Sequence, residues 1–502
     1  MRDKSSSTMT RRGLLQALMA SAAAPVFAGA PLVSERPPRA RGPVRPPEAD
    51  ALVQKAKLKG EIAFALADAE SGEVLEERSS ATGIAPASVT KAITALYALD
   101  TLGPNHRFQT QVVATGGVRD GVVQGDLVLV GGCDPTTDTR ALAALAAGVK
   151  NAGIREVKGA FRIYEGPVLS IRSIDPEQLD HVGYSPAVSG IALNFNRVHF
   201  EWTRASGDYA VTMDARAGKY RPDVQIARME VVERRTPIYT YEDRGGRDSW
   251  TVARAALGSG GARWLPVRQP GLYAGEVFAT LARSHGLVLK TPKLRQGPPT
   301  GAVVAAVDSA PLSQVLQAML KYSNNLTAEM VGLAATYARV GRVDSLAASA
   351  AEMNTWAMTT LAMQSPAFVD HSGLGGASRI TAQDMVRGLG AVGHASLLRP
   401  LLKPVKLLDG EGRPVNDHPV RVEAKTGTLN FVSGLAGYVT SVDGREMVFA
   451  IFAADEETRA GISRAERERP PGARTFATRA RRLQRELLMR WGEAYVKTAA
   501  KL

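Results

Sequence analysis

Three short stretches hold residue types that can do acyl-transfer chemistry together: Ser88-Val89-Thr90-Lys91, Ser323-Asn324-Asn325 and Lys425-Thr426-Gly427. On a helix, positions three apart share a face with Cβ atoms about 5–6 Å apart, so the Lys91 amine reaches the Ser88 hydroxyl. A serine becomes a nucleophile when a neighbouring base takes its proton, and attack on a carbonyl carbon then gives an acyl-enzyme. The amine must be uncharged to accept that proton. Its ordinary pKa is about 10.4, so burial and a second nearby cation are required, and Lys425 is the expected cation. The tetrahedral oxyanion needs backbone N–H donors, expected from Ser88 and Thr428, each worth on the order of 3 kcal/mol. Ser323 and Asn325 carry the groups to relay a proton to a leaving amine and to orient Lys91 and a substrate amide. Lys425, Thr426 and Thr428 offer a charge and two hydroxyls, which suits a substrate ending in a free carboxylate. Gly427 is expected to let that substrate approach the backbone closely.

Each stretch alone is a common surface pattern, and their order and setting carry the weight. Pro86 stands just ahead of Ser88 at a favoured helix start, and Ala92, Ile93, Leu96 and Leu99 continue with helical spacing. Leu312, Val315, Leu316, Met319 and Leu320 mark a helix ending near Ser323, with another from Leu326. Phe431 to Val439 and Met447 to Phe452 read as neighbouring strands turned at Asp443-Gly444, after a first hairpin that alternates Ile62, Phe64 and Leu66. The interval from Lys91 to Ser323 is too long for a loop and reads as strands and turns, hence an inserted region. The organisation expected is a leader over 1–30, a tether over 31–50, a first part of the catalytic domain over 51–103, a mainly-β insertion over 104–300, and the rest of the catalytic domain over 301–502.

The 502 residues include a single cysteine, Cys133, so no intramolecular disulfide forms and stability rests on core burial. Cys133 follows an apolar strand in a turn-like run and reads as a small packed thiol. Arg11-Arg12 and the apolar run closing at Ala28-Gly29-Ala30 read as an export signal with a twin-arginine flavour. Export and a soluble periplasmic product are therefore expected. The formal charge of +13 favours an acidic partner or polymer, and export argues against nucleic acid. The apolar face running Phe476, Ala480, Leu483, Leu487, Trp491 among arginines is expected to pack on a sheet, with peripheral membrane contact as the rival. The seven histidines show no metal-ligand spacing, and no cofactor is implied.

The trio is the signature shared by penicillin-binding proteins and class A β-lactamases. With Ala85-Pro86-Ala87-Ser88, the Gly131-to-Pro135 turn, Ala192-Leu193-Asn194-Phe195-Asn196, Asn325-Leu326-x-Ala328-Glu329 and Asp370-x-Ser372-Gly373-Leu374, the chain resembles the low-molecular-mass class C penicillin-binding proteins, the D-alanyl-D-alanine carboxypeptidase/endopeptidase family of the DacB type. The long insertion before the second motif fits that family better than the β-lactamases. The resemblance implies an α+β, β-lactamase/transpeptidase-like core, a five-stranded antiparallel sheet flanked by helices. It implies Ser88 as nucleophile, Lys91 as general base, and Ser323, Asn325 and Lys425 completing the site. Peptidoglycan stem peptides are the implied substrates, and β-lactam antibiotics the implied covalent inhibitors. Asp180 and Tyr184 are the candidate pair from the insertion, and Asn430 a further substrate contact. One departure stands out: where members carry Ser-Arg, the arginine helping to recognise a diaminopimelate side chain, this chain has Gly375-Gly376, with Arg379 three residues on. A serine β-lactamase and a non-catalytic peptidoglycan-binding module are the rival readings.

Overall fold

The alternation of small and large residues along the strands dictates a sheet covered on both faces. In the computed structural model, which describes residues 48–391, 393–408 and 413–496, six strands form one antiparallel sheet: β1 (Glu61–Asp68), β2 (Val74–Arg78), β3 (Lys403–Pro404), β4 (Arg421–Leu429), β5 (Val432–Thr440) and β6 (Glu446–Ala454), in the order β3-β4-β5-β6-β1-β2. The short β3 is the strand beyond the five expected. Successive side chains of a strand point to opposite faces. Ala63, Ala65 and Ala67 of β1 accordingly join the cluster around the nucleophile helix, while Ile62, Phe64 and Leu66 join the opposite one. Small residues on the first face let that helix lie close.

The helices of the core include α1 (Ala49–Ala56), α2 (Thr90–Leu102), α3 (Leu312–Tyr322), α4 (Asn325–Val340), α5 (Leu346–Thr360), α6 (Ala382–Gly390), α7 (Glu456–Ala460) and α8 (Ala473–Ala494). α2 is buried from Thr90 through Leu99 and packs against α4, as a helix apolar on every side must. α8 lays Phe476, Ala480, Leu483, Leu487 and Trp491 on the other face of the sheet, with the Trp491 ring 5.7 Å from Phe64. That apolar stripe is therefore covered by protein. Among the described residues no helix is long and apolar enough to cross a membrane. The expected leader and the tether up to residue 47 lie outside the described residues; α1 begins at Ala49, so the last residues assigned to the tether are helical and pack on α8.

Between α2 and α3 the chain builds a five-stranded mixed sheet, in the order 293–294, 161–164, 127–130, 109–114, 302–308, together with three three-stranded sheets. Two helices, Thr139–Asn151 and Pro270–Ser284, cover it. The strand Ala302–Asp308 pairs with Gln109–Ala114, so this sheet closes past residue 300, where the insertion was expected to end. Cys133 is buried where this region meets the core, and burial pushes its thiol up to about 12.

Candidate active site

Ser88 sits in a single turn, Ala87–Val89, that runs straight into α2. The three-residue spacing then places Lys91 beneath it, fully buried, with Nζ donating to Ser88 Oγ at 2.9 Å, Asn325 Oδ1 at 2.7 Å and the Ser372 carbonyl at 2.6 Å. The second motif is a joint between helices. Ser323 ends α3 in the left-handed conformation, φ 56°, its N–H returning to Met319 O, and Asn324 caps α4 by accepting from Thr327 N at 2.9 Å. Asn324 is thereby used by the helix, and its neighbours Ser323 and Asn325 face the site. Lys425, on β4 and only 1% exposed, donates to Ser323 Oγ at 3.0 Å and to Thr426 O at 2.7 Å. The structure thus joins Ser88, Lys91 and Asn325 in one hydrogen-bonded group and Ser323 and Lys425 in a second, with the two lysines near enough to repel each other.

Burial lowers the Lys91 amine to about 8, opposed by the charges of Asp370 and then Glu329. Lys425 lies well below its ordinary value, from burial first, then repulsion by Lys91 and Lys403. Repulsion between the two ammoniums is mutual. Loss of water is the first cause for both amines, and the repulsion between them adds to it.

Two residues that the chemical reading of the motifs missed hold the lysine in place. Glu329, buried on α4 one turn after Asn325, accepts from His371 N at 3.0 Å and Ser372 N at 2.9 Å. Asp370 accepts from Gly373 N and Gly375 N, both at 2.6 Å. Together they fix the strap that presents the Ser372 carbonyl to Lys91. Burial raises both carboxyls. The spacing from Asn325 to Glu329 puts both on one helix face, a signal available in the sequence. Gly373 has φ 73°, and a Cβ there would lie 1.8 Å from the Ala87 carbonyl, so the strap also seats the nucleophile turn.

Gly427 needs a different explanation from the one expected. A Cβ at this position would meet Pro86 O at 2.6 Å and Ser88 N at 3.1 Å. Its missing side chain lets the nucleophile turn, rather than a ligand, approach β4. Thr428 is exposed in the cleft and Thr426 half-buried. Tyr184 also lines the cleft, and its carbonyl accepts from Asn325 Nδ2 at 2.9 Å.

Asp180 is not in the cleft: its carboxylate faces Arg464 at 3.5 Å and its carbonyl accepts from Arg268. Asp175 lines the cleft instead, because the chain turns there, with the Asp175 carboxylate accepting from Glu177 N and Gln178 Nε2. Asn430 lines the cleft, yet its side-chain amide is tied to Arg467 O at 2.6 Å. Arg379 is folded onto the Gly376 and Ser378 carbonyls and does not reach the cleft. The cleft holds about 1330 Å³ and runs from Ser88 and Ser323 to the arginines of the 459–474 segment. That is room for a peptide.

Residues 48–468 match the model of a family described as D-Ala-D-Ala carboxypeptidase 3 (S13). Over 446 residues the chain is 29% identical to a D-alanyl-D-alanine carboxypeptidase of Actinomadura sp. (strain R39), covering 80% of this chain and 79% of that protein. Its fold is similar to the crystal structure of penicillin binding protein 4 (dacB) from Haemophilus influenzae, with a TM-score of 0.71 and 19% identity over 88% of this chain and 99% of that one. A structure of the same protein complexed with a novel β-lactam gives a TM-score of 0.69 at 20% identity over the same shares.

Proposed function

The chain belongs to the D-Ala-D-Ala carboxypeptidase 3 (S13) family, and we propose that it cleaves peptidoglycan stem peptides through an acyl-enzyme on Ser88, releasing terminal D-alanine or opening D-Ala-diaminopimelate cross-links. The observation that carries this reading is the buried Lys91 amine 2.9 Å from the Ser88 hydroxyl. In its neutral form Lys91 takes the Ser88 proton as Oγ attacks the D-alanyl carbonyl carbon. The Ser88 and Thr428 N–H groups hold the oxyanion. Collapse breaks the peptide bond, and the leaving amine receives a proton passed along Lys91, Ser323 and Lys425. Water then attacks the ester carbonyl and returns Ser88. Lys425 and the Thr426 and Thr428 hydroxyls take the terminal carboxylate of the substrate, and Asn325, held between Lys91 and the Tyr184 carbonyl, takes its amide.

The export pattern at the N-terminus supports action in the periplasm, and a β-lactam would enter as a mimic that leaves a slowly hydrolysed ester on Ser88. Incubation with a labelled penicillin is expected to give one stable adduct per chain, absent in Ser88→Ala. Rapid loss of the label would instead identify a β-lactamase, and failure of wild type to take it up, or undiminished muropeptide trimming by Ser88→Ala, would overturn the assignment.

A further inference from the structure

We propose that Arg268, in the inserted region, is a positioning residue for acyl transfer, setting the orientation of the Asn325 amide through the loop between Ile171 and Val188; the inference rests on the acyl-transfer reading above. Arg268 stands between the strand Gly260–Pro266 and the helix Pro270–Ser284, so its backbone is fixed by regular structure on both sides. Its N–H donates to the Asp248 carboxylate at 2.8 Å, and buried Asp248 also accepts from the Tyr241 hydroxyl at 2.9 Å. Arg268 is only 7% exposed, and its side chain fills the loop. The loop is closed at its root by two backbone bonds, Ile171 N to Val188 O at 2.9 Å and Val188 N to Ile171 O at 3.0 Å. Inside it, Arg268 Nη1 donates to the Arg172 carbonyl at 2.8 Å and the Ser185 carbonyl at 2.7 Å, and Nη2 donates to the Asp180 carbonyl at 2.7 Å. A planar guanidinium fork holds its donors in fixed directions, so three carbonyls gathered on it fix the path of the loop.

That path ends at the nucleophile. Ser185 follows Tyr184, whose carbonyl accepts from Asn325 Nδ2 at 2.9 Å. A carbonyl accepts only from the NH2 end of an amide, so this bond turns the Asn325 oxygen towards Lys91, which donates to it at 2.7 Å and to Ser88 Oγ at 2.9 Å. A rotated amide would set its NH2 against the Lys91 donors instead. The Ser185 hydroxyl also bonds the N–H and the carbonyl of Asp175, at 3.1 and 3.2 Å, so the same anchor places Asp175 in the cleft wall. Arg464 and Arg467 hold the loop as well, but at its exposed tip, through the Gln178 and Glu177 carbonyls.

A double-mutant cycle tests this, because a residue that acts through Asn325 loses its effect once that amide is gone. The readout is the rate constant for acylation by labelled penicillin, taken per folded chain by circular dichroism. Arg268→Met keeps the stem and removes every donor, and it is expected to slow acylation about tenfold when Asn325 is present and less than about twofold in Asn325→Ala. Arg268→Lys should retain part of the rate, and where Arg268→Met does not fold, Arg268→Lys carries the same comparison. Equal factors in the two backgrounds would show a merely structural role, and unslowed acylation by the folded Arg268 variant would show none; either overturns the proposal. Wild type labelled at Ser88 separates the two levels: if the label is present, such a result sinks the role of Arg268 alone, and if it is absent, the function reading falls with it.

Discussion

Lys91 makes the site pH-dependent in two ways. Only its neutral form can take the Ser88 proton, and its amine titrates near 8. Acylation by penicillin is therefore expected to rise about tenfold per pH unit up to roughly 8 and to level off above it; a flat profile between pH 6 and 9 would exclude Lys91 as the base. The depressed value also bears on stability. Between about 8 and the ordinary lysine value near 10.4 the unfolded chain binds a proton that the folded chain has lost, so stability gains with pH across that window. Lys91→Met keeps the stem and removes the charge. It should slow acylation by roughly 10²–10⁴, and denaturant titrations at pH 7.5 and 10 should show that wild type gains on the variant as pH rises, the reverse ordering being evidence against a buried, depressed amine.

At the scale of elements, the site depends on a close fit between the strap at 370–375 and the turn that opens α2. Gly373 and Gly72 have nearly the same left-handed φ, 73° and 74°, but a Cβ on Gly373 would strike the Ala87 carbonyl while one on Gly72 meets open space. Gly72→Ala should cost about 1 kcal/mol, the penalty of the backbone conformation alone. Gly373→Ala should cost at least ~2 kcal/mol and also slow penicillin acylation, since Ala87 carries Ser88. Thermal melts and acylation rates of the two variants decide between them, and equal behaviour would show that the strap does not seat the nucleophile.

Over the whole molecule, the inserted region has a buried cluster of its own around Phe161, Phe278 and Trp250, yet Cys133, Val168, Leu169, Ile174, Val188 and Ala192 belong to the same cluster as Leu96 and Leu316 of the core. The hydrogen bond between His181 and Glu468, the ion pair Arg467–Glu177 and the bond from Asn325 to the Tyr184 carbonyl also cross between the two. One cooperative unfolding transition is expected. Phe278→Ala in the insertion and Trp491→Ala against the sheet should each lower it by about 3–5 kcal/mol. Two resolved calorimetric transitions, each moved by only one of these variants, would show that the regions unfold separately.

What the amino-acid sequence determined alone is local chemistry and local order: the lysine one turn after the serine, the helix start at Pro86, the joint at Ser323-Asn325, the strands either side of Asp443-Gly444, and the apolar stripe of α8. These follow from spacings of a few residues, which backbone geometry converts directly into shared faces. Tertiary structure decided which way residues face when the chain returns from far away. It put Asp175 rather than Asp180 in the cleft, gave the room at Gly427 to the Pro86 carbonyl, and set Arg459 over Gly376 from a separate helix. It also decided the charges: whether Lys91 or Lys425 gives up its proton more readily depends on loss of water and on Asp370, Glu329 and Lys403. Those energies depend on burial and three-dimensional distance, which spacing along the chain does not encode.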